Sequence, residues 1–178
     1  MSEHAEPSVI PGVLVAAGGR GVLIEGPSGS GKSDAALALL GCGYALITDD
    51  AVRLARHGGS LLGRVPEGGY GWLQLRDLGP VDVAACYGPL AVARQAVITL
   101  GVELRPEPGA TTAAAALQGR WGWRRLLGCA VPQVALTASA ARPLAALIDA
   151  ALRRSAAAGT ERRGAAPEAP QARGGETG

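Results

Sequence analysis

The feature that most constrains this chain is the octapeptide Gly26-Pro27-Ser28-Gly29-Ser30-Gly31-Lys32-Ser33. It matches the pattern GxxxxGK[ST], in which glycines let successive backbone N–H groups turn inward around an anion. The context also fits, because an apolar strand is predicted before it at residues 22–25 and an aliphatic helix after it at residues 33–40. Lys32 is the only lysine of the sequence. The motif predicts a phosphate-binding loop (P-loop) facing the positive end of a helix.

The residue types within this loop predict which ligand it binds. In loops of this pattern the lysine reaches the β- and γ-phosphates of a nucleoside triphosphate, and the hydroxyl that follows it binds magnesium. We therefore expect ATP and Mg²⁺ as ligands, with residues 26–33 contacting the nucleotide. Lys32 is expected to act on the transferred phosphate and Ser33 to bind the metal.

A pair of carboxylates, Asp49-Asp50, closes the next predicted strand at residues 45–48. This end of the strand lies at the edge of the sheet where the phosphates are expected. One carboxylate there could hold magnesium, and one could take a proton from an attacking hydroxyl. Neighbouring residues at a strand end point to opposite faces, so one of the two is expected to face the γ-phosphate. The residues alone do not say which, and a turn without function is the alternative.

Composition and charge limit the remaining possibilities. The chain has 178 residues, 48% of them apolar and 3% aromatic, which predicts a core of small and branched aliphatic side chains. Its 17 basic and 15 acidic residues nearly balance, so charge gives no support for a nucleic-acid partner. The three cysteines form no CxxC pair, and no signal peptide or membrane span is expected. Cytoplasmic location is the default prediction.

Apolar periodicity predicts one α/β domain over residues 1–155 and a disordered tail over residues 156–178. Two hairpins are expected, one of residues 13–16 with 22–25 and one of residues 52–56 with 60–62. Further strands are predicted at residues 72–75, 92–100 and 134–137, a helix or loop at residues 111–117, and a helix at residues 141–154.

Residues 13–54 resemble the catalytic domain of the HPr kinase/phosphorylase family. The order is shared: a strand pair, the P-loop, a short aliphatic helix, Gly43, and a strand ending in Asp49-Asp50. Residues 73–79 resemble the family's E-x-R-G-L-G segment. Residues 131–151, with Arg142 near the family's loop arginine, resemble its closing strand, basic loop and final helix. The chain is similar to the short form that consists of the catalytic domain, the HPr serine kinase C-terminal domain.

This resemblance implies a fold, an activity and a set of roles. The fold would be a P-loop domain with a mixed β-sheet, similar to phosphoenolpyruvate carboxykinase, plus a C-terminal helix. The activity would be ATP-dependent phosphorylation of a serine on HPr, the phosphocarrier of the phosphotransferase system, by a hexamer. Asp50 would be the base and Asp49 a magnesium ligand. Arg76 is a candidate to stabilise the γ-phosphate, and Arg124 or, in our assignment, Arg125 would match a further catalytic arginine.

Four departures from the family pattern bear on the activity, one of them Asp77 in place of the glycine after the arginine. Pro11 occupies the position of a histidine, and proline cannot carry a proton. Gln74 occupies the position of a magnesium-binding glutamate, and a neutral amide is a poorer ligand for this cation. The family's basic loop is reduced to Ala140-Ala141-Arg142-Pro143. We therefore expect weakened or absent phosphorylase activity, and a catalytically reduced nucleotide-binding sensor is the alternative.

A third hypothesis is an unrelated P-loop enzyme. A transporter ATPase would need an LSGGQ-type signature and a later apolar run ending in Asp-Glu, and the sequence contains neither. A small-molecule kinase would usually carry an arginine-rich lid, whereas strand patterns follow Asp50 here. Both observations favour the protein kinase.

Overall fold

The computed structural model of the chain describes residues 8–106, 120–139 and 142–164. The strands are β1 (Ser8–Pro11), β2 (Val13–Ala17), β3 (Arg20–Glu25), β4 (Ala45–Thr48), β5 (Ala51–His57), β6 (Ser60–Arg64), β7 (Trp72–Leu75), β8 (Gly79–Asp82), β9 (Gln95–Pro106), β10 (Arg120–Leu126) and β11 (Cys129–Ala138). The helices are α1 (Lys32–Gly41), α2 (Val83–Tyr87), a 3₁₀ turn (Pro89–Ala91) and α3 (Leu144–Gly164). No helix in these ranges is long and apolar enough to cross a membrane.

One mixed sheet organises the molecule, in the order β1-β5-β6-β9-β3-β2-β4. Strand β9 is its centre, because this twelve-residue strand pairs in parallel with β3 along one edge. Along its other edge the first residues of β9 pair antiparallel with β6, and the later ones pair in parallel with β11. Strand β10 pairs antiparallel with β11, and β7 and β8 form a separate hairpin. The predicted mixed α/β fold with a C-terminal helix is confirmed.

Buried aliphatic side chains form two clusters on opposite faces of this sheet. On one face, α1 and α3 pack against it, and α1 contributes Ala35, Ala36, Leu39 and Leu40. On the other face, β5 and β6 fold over it and bury Val52, Leu54 and Leu61. Burying each such leucine stabilises the fold by roughly 1.5–3 kcal/mol. The predicted core of small aliphatic residues is present.

The predicted elements differ from the observed ones mainly where pairing is not local. The two predicted hairpins form, and β4 and β7 have the predicted bounds. Strand β9 begins at Gln95 rather than residue 92, because the 3₁₀ turn directs Val92 to a bridge with Leu46. Strands β1, β8 and β10 and helix α2 were not predicted. The sequence of β10, RWGWRRL, contains a glycine, and the alternation begun by Trp121 and Trp123 does not continue through Arg124-Arg125.

Helix α3 begins at Leu144, just after Pro143, rather than at residue 141. It continues to Gly164, past the predicted domain end at residue 155, because its later part is rich in alanine, the strongest helix former. The predicted element at residues 111–117 and tail residues 165–178 lie outside the described residues.

Candidate active site

The P-loop connects β3 to α1, and its backbone needs glycine at both ends. Gly26 has φ 153°, and a Cβ added there would lie 2.7 Å from the Leu104 carbonyl oxygen. Gly31, with φ 85°, is the N-cap of α1 and turns the chain into the helix from a left-handed conformation. Other residues rarely adopt such angles. The loop therefore starts against β9 and ends with the amide groups of α1 facing its interior.

Lys32 bridges back to the first residues of the loop. Its ammonium donates hydrogen bonds to the carbonyl oxygens of Gly26 (2.9 Å) and Pro27 (3.0 Å). The backbone N–H of Ser30 also donates to Pro27, at 3.1 Å, so the loop is a tight turn. Pro27 and Ser28 are exposed on its rim. The positive charge of Lys32 thus lies at the mouth of the loop, where an anion would enter.

Two observations test whether the loop suits a phosphate. The hydroxyl of Ser30 is buried and has no hydrogen-bond partner. Such a group loses about 1–3 kcal/mol relative to a paired one, and a phosphate oxygen would accept its hydrogen bond. The close approach of Gly26 to Leu104 and Ser30 leaves no room for a side chain at the base of the loop. The residues of the loop therefore fit a phosphate group.

Asp49 is bound directly to the start of α1. The Ser33 hydroxyl donates to its Oδ1 at 3.0 Å, and the backbone N–H of Gln74 donates to its Oδ2 at 2.8 Å. Burial raises the pKa of Asp49 above its ordinary value, the two hydrogen bonds oppose this, and the nearby charge of Asp50 adds to it. A hydroxyl and a carboxylate side by side are the hard oxygen donors that Mg²⁺ prefers.

These protein oxygens would not surround a cation by themselves. In the described part of the chain, no group of three or more His, Cys, Asp or Glu could hold a metal ion. Magnesium at nucleotide sites usually has one or two carboxylate ligands and completes its shell with phosphate and water oxygens. Ser33 and Asp49 fit that kind of site.

Asp50 has a strained backbone that turns its side chain outward. Its φ of 71° lies in the left-handed region, and the residue is exposed. Two hydrogen bonds hold the turn: Gly12 N–H donates to the Asp50 carbonyl (2.9 Å), and the buried Thr48 hydroxyl donates to the Ala51 carbonyl (2.8 Å). The left-handed conformation costs an aspartate about 1–2 kcal/mol. Asp50 is thus held beside Asp49 with its carboxylate accessible.

Arg76 reaches the P-loop from the β7–β8 hairpin. Its Nη2 lies 3.3 Å from where a Cβ on Gly29 would stand. Since Gly29 has no side chain, the guanidinium lies directly against the loop. The hairpin also provides the Gln74 N–H that holds Asp49, so this single element positions both groups. Lys32, Ser33, both aspartates and Arg76 are therefore brought together.

Arg125 is the predicted site residue that the structure does not join to this group. It is exposed on β10. Its neighbour Arg124, on the opposite face of the strand, instead donates to Glu25 at 3.1 Å, directly before Gly26. Sequence reasoning missed Glu25 as a contributor. The available signal was a carboxylate at the end of an otherwise apolar strand.

Two of the departures from the family pattern, Pro11 and Gln74, lie at the site. Pro11, at the end of β1, is the cross-strand partner of Ala51, the residue after Asp50. Gln74 is exposed, and its backbone binds Asp49. A histidine or a glutamate at these two positions would lie close to the aspartate pair, whereas proline and glutamine provide neither a proton carrier nor a charge.

Comparisons with known proteins identify the family. Residues 2–166 match the family described as HPr Serine kinase C-terminal domain. HPr kinase/phosphorylases of Burkholderia lata and Azoarcus sp. are 34% and 35% identical over 150 and 151 residues, 84% of this chain in each case. One from Clostridium perfringens is 46% identical over 89 residues, 49% of this chain and 29% of the relative.

A solved structure, the Hpr(Ser) kinase/phosphatase from Coxiella burnetii, has the same fold. It matches with a TM-score of 0.80 and 25% identity, over 88% of this chain and 95% of that one. This chain spans 46% and 48% of the length of the Burkholderia and Azoarcus relatives, so it corresponds to less than half of each. The family match covers most of the chain, from before β1 to the end of α3. The chain belongs to the HPr serine kinase C-terminal domain family.

Proposed function

We propose that this protein is an ATP-dependent kinase that phosphorylates a serine of the phosphocarrier HPr. The observation that carries the proposal is the hydrogen bond of 3.0 Å between Ser33 and Asp49. It joins the aspartate pair to the end of the P-loop, which supports a carboxylate base beside the site proposed for the γ-phosphate. The names of the relatives, HPr kinase/phosphorylase, support HPr as the acceptor.

Nucleotide binding would use groups that are already oriented. The N–H groups of the loop and of the first turn of α1 would bind the phosphates. Lys32 would exchange the carbonyls of Gly26 and Pro27 for phosphate oxygens. Ser33 and Asp49 would hold Mg²⁺, which supplies neutralisation of the phosphate charge.

Phosphoryl transfer would then need a base and a group that balances charge. As the serine oxygen of HPr forms its bond to the γ-phosphorus, Asp50 accepts the hydroxyl proton. The bond between the γ-phosphorus and the bridging oxygen breaks, and ADP leaves with that electron pair. Arg76, against Gly29, is positioned to stabilise the charge on the transferred group.

Phosphorolysis would use the same residue in its protonated form. Inorganic phosphate would attack the phosphorus of phosphoserine, and as the bond from phosphorus to the serine oxygen breaks, Asp50 would give its proton to that oxygen, so that serine and pyrophosphate are released. Pro11 lies next to this turn and cannot carry a proton. We therefore propose that phosphorylase activity is weak or absent.

A catalytically reduced nucleotide-binding regulator is the second candidate. Pro11 and Gln74 favour it, because each removes a chemical group beside the aspartate pair. Such a protein would bind ATP but transfer no phosphate to HPr. The hexamer implied by the resemblance, and a cytoplasmic location without membrane or nucleic-acid partners, stay predictions.

The test is transfer of labelled γ-phosphate from ATP to the HPr of the same genome, with wild type and Asp50→Asn side by side. We expect label on a serine of HPr and a rate lower by about 10²–10⁴-fold in the variant, the usual contribution of a general base. Asn keeps the size of the side chain but cannot accept the proton.

Binding of ATP is measured on the same preparations. Equal ATP affinity of the two proteins would show that Asp50→Asn leaves the P-loop intact. ATP binding by wild type without any labelled HPr would overturn the kinase and support the regulator.

A further inference from the structure

One wing of the sheet is basic and contains no carboxylate. Strands β1, β5 and β6 and residues 95–100 of β9 include three arginines and a histidine, and neither aspartate nor glutamate. Over the whole chain the charges nearly balance, with 17 basic and 15 acidic residues in total. The wing therefore has a local charge that the net charge of the chain conceals.

Two of the arginines lie opposite each other on the outer face of this wing. Arg53 on β5 and Arg64 on β6 are cross-strand partners, and both are exposed. Their row continues to Val9 on β1 and Gln95 on β9. Val9 is 58% exposed, and Val97, two residues beyond Gln95, is 38% exposed. We call Val9, Arg53, Arg64, Gln95 and Val97 the basic face.

The fold gains nothing from this pair of charges. Like charges directly opposite on a sheet destabilise it by a few tenths of a kcal/mol to about 1 kcal/mol. The ion pairs found within residues 8–106, 120–139 and 142–157 involve other arginines, namely Arg105, Arg124 and Arg153. Arginine is instead enriched at surfaces that bind another protein.

The basic face begins at the candidate base. Strand β5 starts at Ala51, immediately after Asp50, so Arg53 is three residues away, about 10 Å along an extended strand. Arg64 ends β6 at the same edge of the wing. A protein whose serine reached Asp50 would therefore extend over this face, whereas a nucleotide in the P-loop would not need to.

We propose that the basic face is the docking surface for an acidic patch of the protein substrate, next to its phosphorylated serine. This inference rests on the proposed kinase function. The occupant is a protein because the face is a sheet surface with exposed aliphatic groups, and the partner patch is acidic because neither arginine forms an ion pair within the described residues. A second copy of this chain is the alternative occupant, to be separated by experiment.

The test compares Arg53→Glu and Arg64→Glu with Arg120→Glu, an exposed arginine on β10 outside the basic face. Each substitution lowers the net charge by the same amount. Binding of HPr is measured by calorimetry, and transfer gives KM for HPr and for ATP. We expect R53E and R64E each to raise the Kd for HPr about ten-fold and to raise KM for HPr by the same factor. KM for ATP should be unchanged. R120E should bind as wild type does.

The outcomes separate this proposal from the kinase assignment. Wild type that phosphorylates HPr while R53E and R64E bind it normally would overturn the docking surface and leave the kinase. If wild type binds HPr but transfers no phosphate to it, and both variants bind HPr more weakly, the kinase assignment would be overturned and the docking surface would stand. Equal losses of HPr binding in all three variants would mean that net charge alone is responsible. A change in the oligomeric state of R53E or R64E, measured by light scattering, would mean that the face binds a second copy of this chain. Either result overturns the proposal, as does a wild-type protein that fails to bind HPr.

Discussion

At the scale of a residue, Asp50 has a left-handed backbone that costs stability and a carboxylate that we propose as the base. Its φ of 71° lies in the left-handed region, which glycine adopts freely and aspartate at a smaller cost than most residues, and two hydrogen bonds to the turn maintain it. Strain of this kind persists where the surrounding structure enforces it, and it is frequent at functional sites. Asp77, with φ 67°, has the same strain in the β7–β8 turn without a role in the proposed mechanism.

Replacing either aspartate by glycine should therefore have different consequences. Asp50→Gly and Asp77→Gly should each leave stability unchanged or raise it by up to about 1 kcal/mol, because glycine adopts this conformation without the Cβ clash. Phosphoryl transfer should be lost in D50G and kept in D77G. Urea unfolding and labelled transfer measure the two effects, and an active D50G would mean that another group is the base.

At the scale of residues, the site was predictable from the sequence where its members are close together in the chain. The loop from Gly26 to Ser33 is set by eight consecutive residues, so its role could be read without knowing the fold. Choosing between Arg124 and Arg125 needed the alternation of β10, a strand that the sequence did not reveal. The position of Arg76 against Gly29 depends on a hairpin docking onto the loop, which no local pattern specifies.

At the scale of elements, a small polar network holds α3 to the segment that follows α1. Tyr44, buried just before β4, donates its hydroxyl to Asp149 of α3 at 2.8 Å. Arg153, one turn further along α3, donates to the other oxygen of Asp149 at 2.7 Å. Burial raises the pKa of Tyr44, and the hydrogen bond from Arg153, then that from Tyr44, lowers the pKa of Asp149.

This network predicts how stability depends on pH. Because the folded-state pKa of Asp149 lies below its ordinary value of 3.8, its stabilisation is present above about pH 4 and disappears as pH falls through the lowered value. Asp149→Asn should thus be less stable than wild type at pH 7, and the difference should shrink by pH 3. Denaturant unfolding at both pH values measures it. Tyr44→Phe, which keeps the pair with Arg153, should lose less; equal stability of D149N and wild type at pH 7 would contradict the prediction.

Among the elements, those with their own turn or helix signal were predicted and those defined by distant partners were not. Strands β5 and β6 meet across His57-Gly58-Gly59-Ser60, a turn visible in the sequence. Strand β1 is four residues long and ends in Pro11, which argues against a strand in isolation. It forms because β5 offers an edge along Ser8–Pro11.

At the scale of the whole molecule, the P-loop lies between parts that are far apart in sequence. Its base contacts Leu104 of β9, its start is tied to Arg124 of β10, and Arg76 of the β7–β8 hairpin lies against Gly29. The order of strands around β9 could not be read from local patterns, because β9 pairs with three strands at separations of many residues. The family resemblance predicted the fold class without that order.

A ligand in this loop should consequently stabilise the entire fold. Binding to the folded state alone adds RT ln(1 + [L]/Kd), about 2.7 kcal/mol at a hundred times Kd. For a chain of this size that corresponds to a rise in Tm of roughly 5–10 °C. We expect Mg-ATP to raise Tm progressively with concentration, as measured by thermal scans.

Lys32→Met is the matched variant for this experiment, since it keeps most of the length of the side chain and removes its charge. Met cannot donate to the carbonyls of Gly26 and Pro27, so the unliganded variant should unfold at a slightly lower temperature than wild type. It should also respond little to Mg-ATP, because the charge at the mouth of the loop is gone. A full rise in Tm with Mg-ATP in the variant would mean that the nucleotide stabilises the protein from somewhere other than the P-loop. A rise in Tm with Mg-ATP in wild type alone would mean that a ligand bound by the eight residues of the P-loop stabilises the whole sheet.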